Sequence, residues 1–201
     1  MEKNTADELL RWTGKKNPGK WIEHSYNVAR AAETIAKECS LDCNHAYVLG
    51  LLHDIGRCEG GGKLKHIVSG YNMLIQKGHN DIARACLTHS FPHKDSRAVH
   101  VYTDDSGCTQ DEINFIKSEL EKCVYDDYDK LIQLCDGICD DKGITLLEIR
   151  FMDGIRRNGF NDCTVKNLEA LFAIKDYFEG KCGKKLYELF RGEIINTIFG
   201  I

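Results

Sequence analysis

Residues 47–66 read YVLGLLHDIGRCEGGGKLKH. An apolar run of helix-forming residues stops at an adjacent imidazole and carboxylate, His53 and Asp54. From about Asp42, the residues Ala46, Leu49, Leu52 and His53 fall on one side of a helix. The His-Asp pair therefore begins where an apolar stripe ends. Gly50, within that helix, suits close approach of a neighbour. Successive helical residues point about 100° apart, so His53 and Asp54 can converge on one point only where the helix ends and the backbone bends. Three glycines at 60–62 then make a flexible turn.

Outward from this stretch, the helical period continues in both directions. Between Trp21 and Cys39, the residues Val28, Ala32, Ile35, Ala36 and Cys39 recur at helical spacing, with His24 one turn before Val28 on the same stripe. TGKKNPGK (13–20) is a turn. HIVSGYNMLIQKG (66–78) predicts a helix stopped by Gly78, and DIARACLTHSF (81–91) one that ends near Pro92. YDKLIQLCDGI (128–138), TVKNLEALFAIKDYFEG (164–180) and KKLYELFRGEIINTIF (184–199) are amphipathic or apolar helical segments. TADE (5–8), TQDE (109–112) and TLLE (145–148) have the form of capping boxes, the last opening a helix that closes at Asn158-Gly159. Only AVHVYT (98–103) has extended character, and there is no internal repeat. The expectation is an all-α, single-domain helical bundle. Residues 1–18 form an N-terminal helix and turn, and residues 19–201 form the main helical domain with its C-terminal helices packed on it.

The chain has 201 residues, 42% hydrophobic and 29% charged, with a formal net charge of -4. That charge argues against a broad nucleic-acid surface or a basic membrane patch. No apolar run approaches the length of a membrane span. The first residues, MEKNTADELLRW, are acidic and amphipathic rather than a signal peptide, so the expected location is cytoplasmic. Ten cysteines contain no C-x-x-C pair. Without a secretory signal they read as small, buried, apolar side chains rather than a disulfide framework. A structural zinc site is the sharper alternative, but the usual knuckle spacing is missing.

Residues that can ligate a metal recur on the apolar stripes: His24, His53 with Asp54, His66, His89 and Asp136. His24, His66 and His89 each read alone as a core imidazole bonded to backbone, and a lone His-Asp pair reads as surface polar residues. Asp136 is harder to explain that way, because LIQLCDGIC (131–139) is otherwise apolar and a buried carboxylate is costly without a cation or strong donors. Imidazole and carboxylate together suit divalent transition metals.

The order H…HD…H…H…D resembles the HD-domain superfamily of metal-dependent phosphohydrolases, small bacterial type. HDIG at 53–56 is the form in which that family's motif is often written. The resemblance covers roughly Trp21 to Gly143, and TLLEIRFMDGIRRNGF (145–160) is also similar to small bacterial members. It implies a first metal held by His24, His53, Asp54 and Asp136. In dinuclear members it implies a second metal held by His66 and His89, with Asp54 bridging. The cyclic-dinucleotide branch carries paired histidines and then a Gly-Tyr-Pro motif at this place. Here the segment is HSFPHKD (89–95), so cyclic dinucleotide cleavage is not implied.

The resemblance further implies hydrolysis of a phosphate ester, of a nucleotide or small phosphorylated metabolite, by a metal-activated water. The expected cofactor is one or two ions of iron, manganese, nickel or zinc, with magnesium possible. Asp54 and Arg57 are the expected catalytic residues. Arg57, Lys63, Lys65 and His93 are the candidates for substrate contact. Arg57 stands where the family often has Lys, and Arg can grip a phosphate bidentately; alone it reads equally as a cation closing a helix C-terminus. CEGGGKLK (58–65) is not a Walker A loop, since Leu64 takes the place of Ser/Thr. Two alternatives stand beside the hydrolase: a di-iron oxygenase of the same family, and a ligand-binding module without turnover. The expected partner is the small substrate, with no membrane. Nothing in the sequence sets the oligomeric state.

Overall fold

The computed structural model describes residues 1–61, 63–95 and 106–200. In chain order the helices are α1 (Lys3–Gly14), α2 (Trp21–Glu38), α3 (Cys43–Leu52), a 3-10 helix (Ile55–Glu59), α4 (Lys65–Gln76) and α5 (Asn80–Thr88). They continue with α6 (Gln110–Lys122), α7 (Asp127–Ile138), α8 (Leu147–Asn158), α9 (Asp162–Cys182), α10 (Leu186–Leu189) and α11 (Arg191–Phe199). The fold is all-α. A single antiparallel bridge, Cys139 with Ile144, occurs among the described residues and pins the turn between α7 and α8. AVHVYT (98–103) lies outside the described residues.

α3 is the centre of the bundle. The stripe expected from sequence is only part of its buried surface, because Val48, Gly50 and Leu51 are buried along with Ala46, Leu49 and Leu52. A helix apolar on every side must be surrounded, and α2, α1, α5 and α7 all pack against it. Gly50 makes the closest of these contacts possible: a Cβ there would lie 2.9 Å from the Ala29 Cα of α2. Asp42 starts α3 by accepting from the His45 backbone N–H at 3.0 Å. The main core also takes Ala6 and Leu10 from α1 and Ile174 and Phe178 from α9. A second cluster, Leu64, Ile67, Val68, Leu87, Phe91, Ile116 and Leu120, joins α4, α5 and α6.

Of the capping boxes read from sequence, Thr109 with Glu112 forms as expected. TADE does not: Ala6 N–H already bonds the Glu2 carbonyl at 3.1 Å, so α1 begins ahead of Thr5. TLLE does not either. Thr145 is buried, with its N–H on the Ile138 carbonyl at 2.8 Å, while Glu148 accepts from the Tyr187 hydroxyl at 2.6 Å, and α8 starts at Leu147. Two boxes were not anticipated, Asp126 with Asp129 and Asn161 with Thr164. KKLYELFRGEIINTIF is two helices rather than one, broken at the buried Phe190.

Two polar ties fix the register of helices in the bundle. Arg84 of α5 forks onto the buried Asp129 of α7 at 3.0 and 2.6 Å, and Thr88 Oγ1 donates to the same carboxylate at 2.9 Å. This sets the register of α5 against α7. Glu179 of α9, 8% exposed, accepts from Lys175 at 2.9 Å, Lys185 at 2.7 Å and the Leu186 N–H at 2.9 Å, anchoring α10. Burial pushes the Glu179 carboxyl up, but these donors outweigh it and bring it from 4.5 to about 2. A depressed folded-state pKa stabilises the fold above the unfolded value and loses that contribution as pH falls toward about 2. Glu179→Gln should therefore cost about 2 kcal/mol at neutral pH. In urea unfolding the gap to wild type should narrow between pH 5 and pH 3; a pH-independent gap would assign the effect to packing instead.

Candidate metal centre

Five elements deliver six ligand-type side chains to one place. His24 comes from α2, His53 caps the end of α3, and Asp54 follows in the bend before the 3-10 helix. His66 lies in the first turn of α4, His89 caps the end of α5, and Asp136 lies on α7. His53, Asp54, His66 and His89 are at most 3% exposed. The bend after Leu52 does what an unbroken helix could not: His53 Nε2 and Asp54 Oδ2 come within 3.8 Å.

His24 Nε2 lies 2.9 Å from Asp136 Oδ1, and His53 Nε2 lies 3.8 Å from the same oxygen. Asp54 turns Oδ1 toward His66 Nε2 at 3.2 Å and His89 Nε2 at 3.5 Å, while Oδ2 faces His53. Two triads result, His24–His53–Asp136 and His53–Asp54–His89, each with ligand atoms within 4.8 Å of one another. The His24 and His53 ring centroids are 5.2 Å apart, and those of His53 and His89 are 4.9 Å apart.

Backbone carbonyls orient two of the rings. His53 Nδ1 meets the Gly50 carbonyl at 2.7 Å, and His89 Nδ1 meets that of Cys86 at 2.9 Å. A carbonyl only accepts, so each Nδ1 carries the proton and each neutral ring turns an Nε2 lone pair inward. Burial pulls the His53 pKa down to about 4 against the opposing charge of Asp54, so the ring is neutral at pH 7. Burial also holds His66 well below its ordinary value, again against Asp54. Burial raises the carboxyls of Asp54 and Asp136. Arg57 overcomes this for Asp54, and His24 overcomes it for Asp136, so both are anionic.

The residues fit a cation. His53 Nε2 and Asp54 Oδ1 are buried acceptors with no hydrogen-bond partner, the short Asp54–His66 approach failing hydrogen-bond geometry. Leaving a buried polar atom unsatisfied costs about 1–3 kcal/mol, and one positive ion would satisfy both. The donors are nitrogen and oxygen, a set suited to transition metals. The cysteines take no part: none of the ten is in a disulfide, and burial raises Cys86, Cys135 and Cys139 far from thiolate formation. Six of them are buried, as expected of small apolar side chains, and Cys43, Cys108, Cys123 and Cys182 are half-buried. No helix among the described residues is long and apolar enough to cross a membrane.

A cavity of about 850 Å³ opens over the cluster, reached by His24, Asp54, His66 and Asp136. Arg57 lines it and donates from Nε to Asp54 Oδ2 at 2.5 Å, so it is an ion-pair partner of the centre rather than only a helix cap. Gly60 and Gly61 of the glycine turn also line it. Three candidates for substrate contact do not. Lys65 pairs with Glu112 of α6 at 2.5 Å, drawn to the carboxylate that α6 places beside α4. Lys63 lies in the turn before α4 and is not among the residues that line the cavity, and His93 is exposed beyond the end of α5. The cavity's other cations are Lys20, Lys142, Arg150, Arg156 and Arg157, which the sequence reading passed over. For the three arginines the signal was available in IRFMDGIRRNG (149–159), where Arg150, Asp153, Arg156 and Arg157 share one helical face.

A family model described as HD domain matches residues 21–139. Comparison with curated proteins and with solved structures finds no significant match.

Proposed function

The chain belongs to the HD domain family, and from that premise we propose that it is a metal-dependent phosphohydrolase acting on a nucleotide or small phosphorylated metabolite. The observation that carries this is the pair of unpartnered buried acceptors, His53 Nε2 and Asp54 Oδ1, in a cluster beneath a cavity lined by six Lys or Arg and five Asp side chains. His24, His53, Asp54 and Asp136 would hold one ion. His66 and His89 would hold a second, with Asp54 offering one oxygen to each side. Iron, manganese, nickel or zinc suits these donors. A bound ion of this kind supplies Lewis acidity toward phosphoryl oxygens and makes water a nucleophile near neutral pH.

The protein's own groups do the rest. The carbonyls of Gly50 and Cys86 hold the His53 and His89 rings in the tautomer that presents Nε2. Arg57 spends Nε on Asp54 and keeps its remaining N–H groups for a phosphoryl oxygen as charge gathers there. The apolar core beneath the cluster closes it to bulk water on that side.

The test is metal analysis followed by phosphate release from a panel of phosphorylated metabolites, run with and without air. Phosphate release in both atmospheres supports the hydrolase. Iron content with dioxygen consumption and no phosphate release would make the protein an oxygenase, and metal without any turnover would make it a binding module. Within the hydrolase, Arg57→Ala should keep its metal and lose about 10²–10³-fold in kcat/KM, the scale of removing one charge-stabilising donor. Arg57→Lys should recover part, because the charge stays while the bidentate geometry goes. Equal rates per metal-loaded enzyme would remove Arg57 from the reaction.

A further inference from the structure

The family match ends at residue 139, yet much of the wall facing the metal centre comes from beyond it. α8 contributes Arg150, Arg156 and Arg157 to the same 850 Å³ cavity that holds His24, Asp54 and Asp136. Asp153 also faces the cavity, binding Arg156 through Oδ1 at 2.9 Å and Arg157 through Oδ2 at 3.0 Å. One carboxylate shared by two guanidiniums leaves a net positive charge. These pairs are exposed, and such pairs hold weakly enough for a phosphate to compete.

Arg150 is placed differently. Its Nε is buried without a hydrogen-bond partner, and no carboxylate among the described residues forms an ion pair with it. It also lines a second cavity of about 240 Å³, which shares Asp136 with the first. A buried guanidinium N–H without an acceptor is costly, and it lies where the cluster's own carboxylate meets both cavities. The metal centre and Arg57 can together hold one phosphate. One phosphate is small against a cavity of about 850 Å³, whose wall also carries the α8 cations.

We infer that the α8 face of Arg150, Arg156 and Arg157 is a distal anion subsite, and that the substrate is a small phosphate ester carrying a second phosphate group. This rests on the hydrolase reading above, with the first phosphate at the His-Asp centre. The guanidinium fork suits a phosphate's paired oxygens. The wall thus selects doubly phosphorylated compounds over monophosphates of the same carbon skeleton.

The test is calorimetric binding to metal-loaded protein, using short alkane-α,ω-diphosphonates and the matching alkyl monophosphonates, whose P–C bonds resist hydrolysis. In wild type, the best diphosphonate should bind at least about 10-fold tighter than its monophosphonate, the equivalent of one added charge-assisted contact. Arg150→Ala should remove most of that preference, and the variant that also carries Arg156→Ala and Arg157→Ala should remove all of it. Arg150→Lys should restore part. Metal content, counted in each variant, should not change. A wild type that binds metal and monophosphonate without preferring any diphosphonate overturns the distal subsite and leaves the hydrolase reading standing. A full preference retained in the triple variant overturns it equally. A wild type that binds neither metal nor monophosphonate overturns both.

Discussion

Gly56→Ala is expected to destabilise the protein by roughly 3 kcal/mol or more, enough to unfold a domain of ordinary stability. A Cβ on Gly56 would stand 1.9 Å from the His66 carbonyl oxygen and 2.4 Å from the Gly70 amide nitrogen. Both are backbone atoms of α4, so no side-chain rotation relieves the clash. The 3-10 helix and α4 would have to separate, and α4 carries His66. The variant should therefore lose metal affinity along with stability. Gly180→Ala supplies the opposite sign. Gly180 lies inside α9 with nothing within 4 Å of its Cβ position, so alanine there should stabilise by about 0.5–1 kcal/mol through helix propensity. Denaturant unfolding of both variants reads the pair. Wild-type stability in Gly56→Ala would show that the 3-10 helix does not sit this close to α4.

Asp54→Ala is expected to take bound metal from one or two equivalents to about none, and phosphate release with it. Asp54 is the residue that faces both halves of the cluster, one oxygen toward His66 and His89 and the other toward His53. With the ion goes the several kcal/mol of transition-state stabilisation it supplies, and each 1.36 kcal/mol is about tenfold in rate. His53→Ala should do the same by taking a member from both triads. Far-UV circular dichroism should stay close to wild type, because the core under the site is apolar and extensive. Replacing His66 and His89 together should lower the count from about two ions to about one if the centre is dinuclear. Full occupancy in Asp54→Ala would show that the ion, if any, is held elsewhere.

Several features of this protein were set by its sequence alone. Apolar spacing on α2, α4, α5 and α7 was enough to place helices there. The imidazoles and carboxylates at 24, 53, 54, 66, 89 and 136 stood out because polar residues on buried stripes demand a reason. Those signals are local: periodicity and burial cost depend on a residue's own helix. Capping failed where it depended on more than four residues, as at Thr5, where α1 had already begun, and at Thr145, whose N–H the turn after α7 claims. The tertiary structure decided what the long side chains meet. Lys65 was adjacent to the motif in sequence but faces Glu112, whereas Arg150, Arg156 and Arg157, about a hundred residues beyond it, line the cavity over Asp54. A lysine or arginine tip reaches several ångströms from its backbone, so its partner is chosen by whichever helix packs opposite. Helix packing brings together residues far apart in the chain, and no local pattern records which ones.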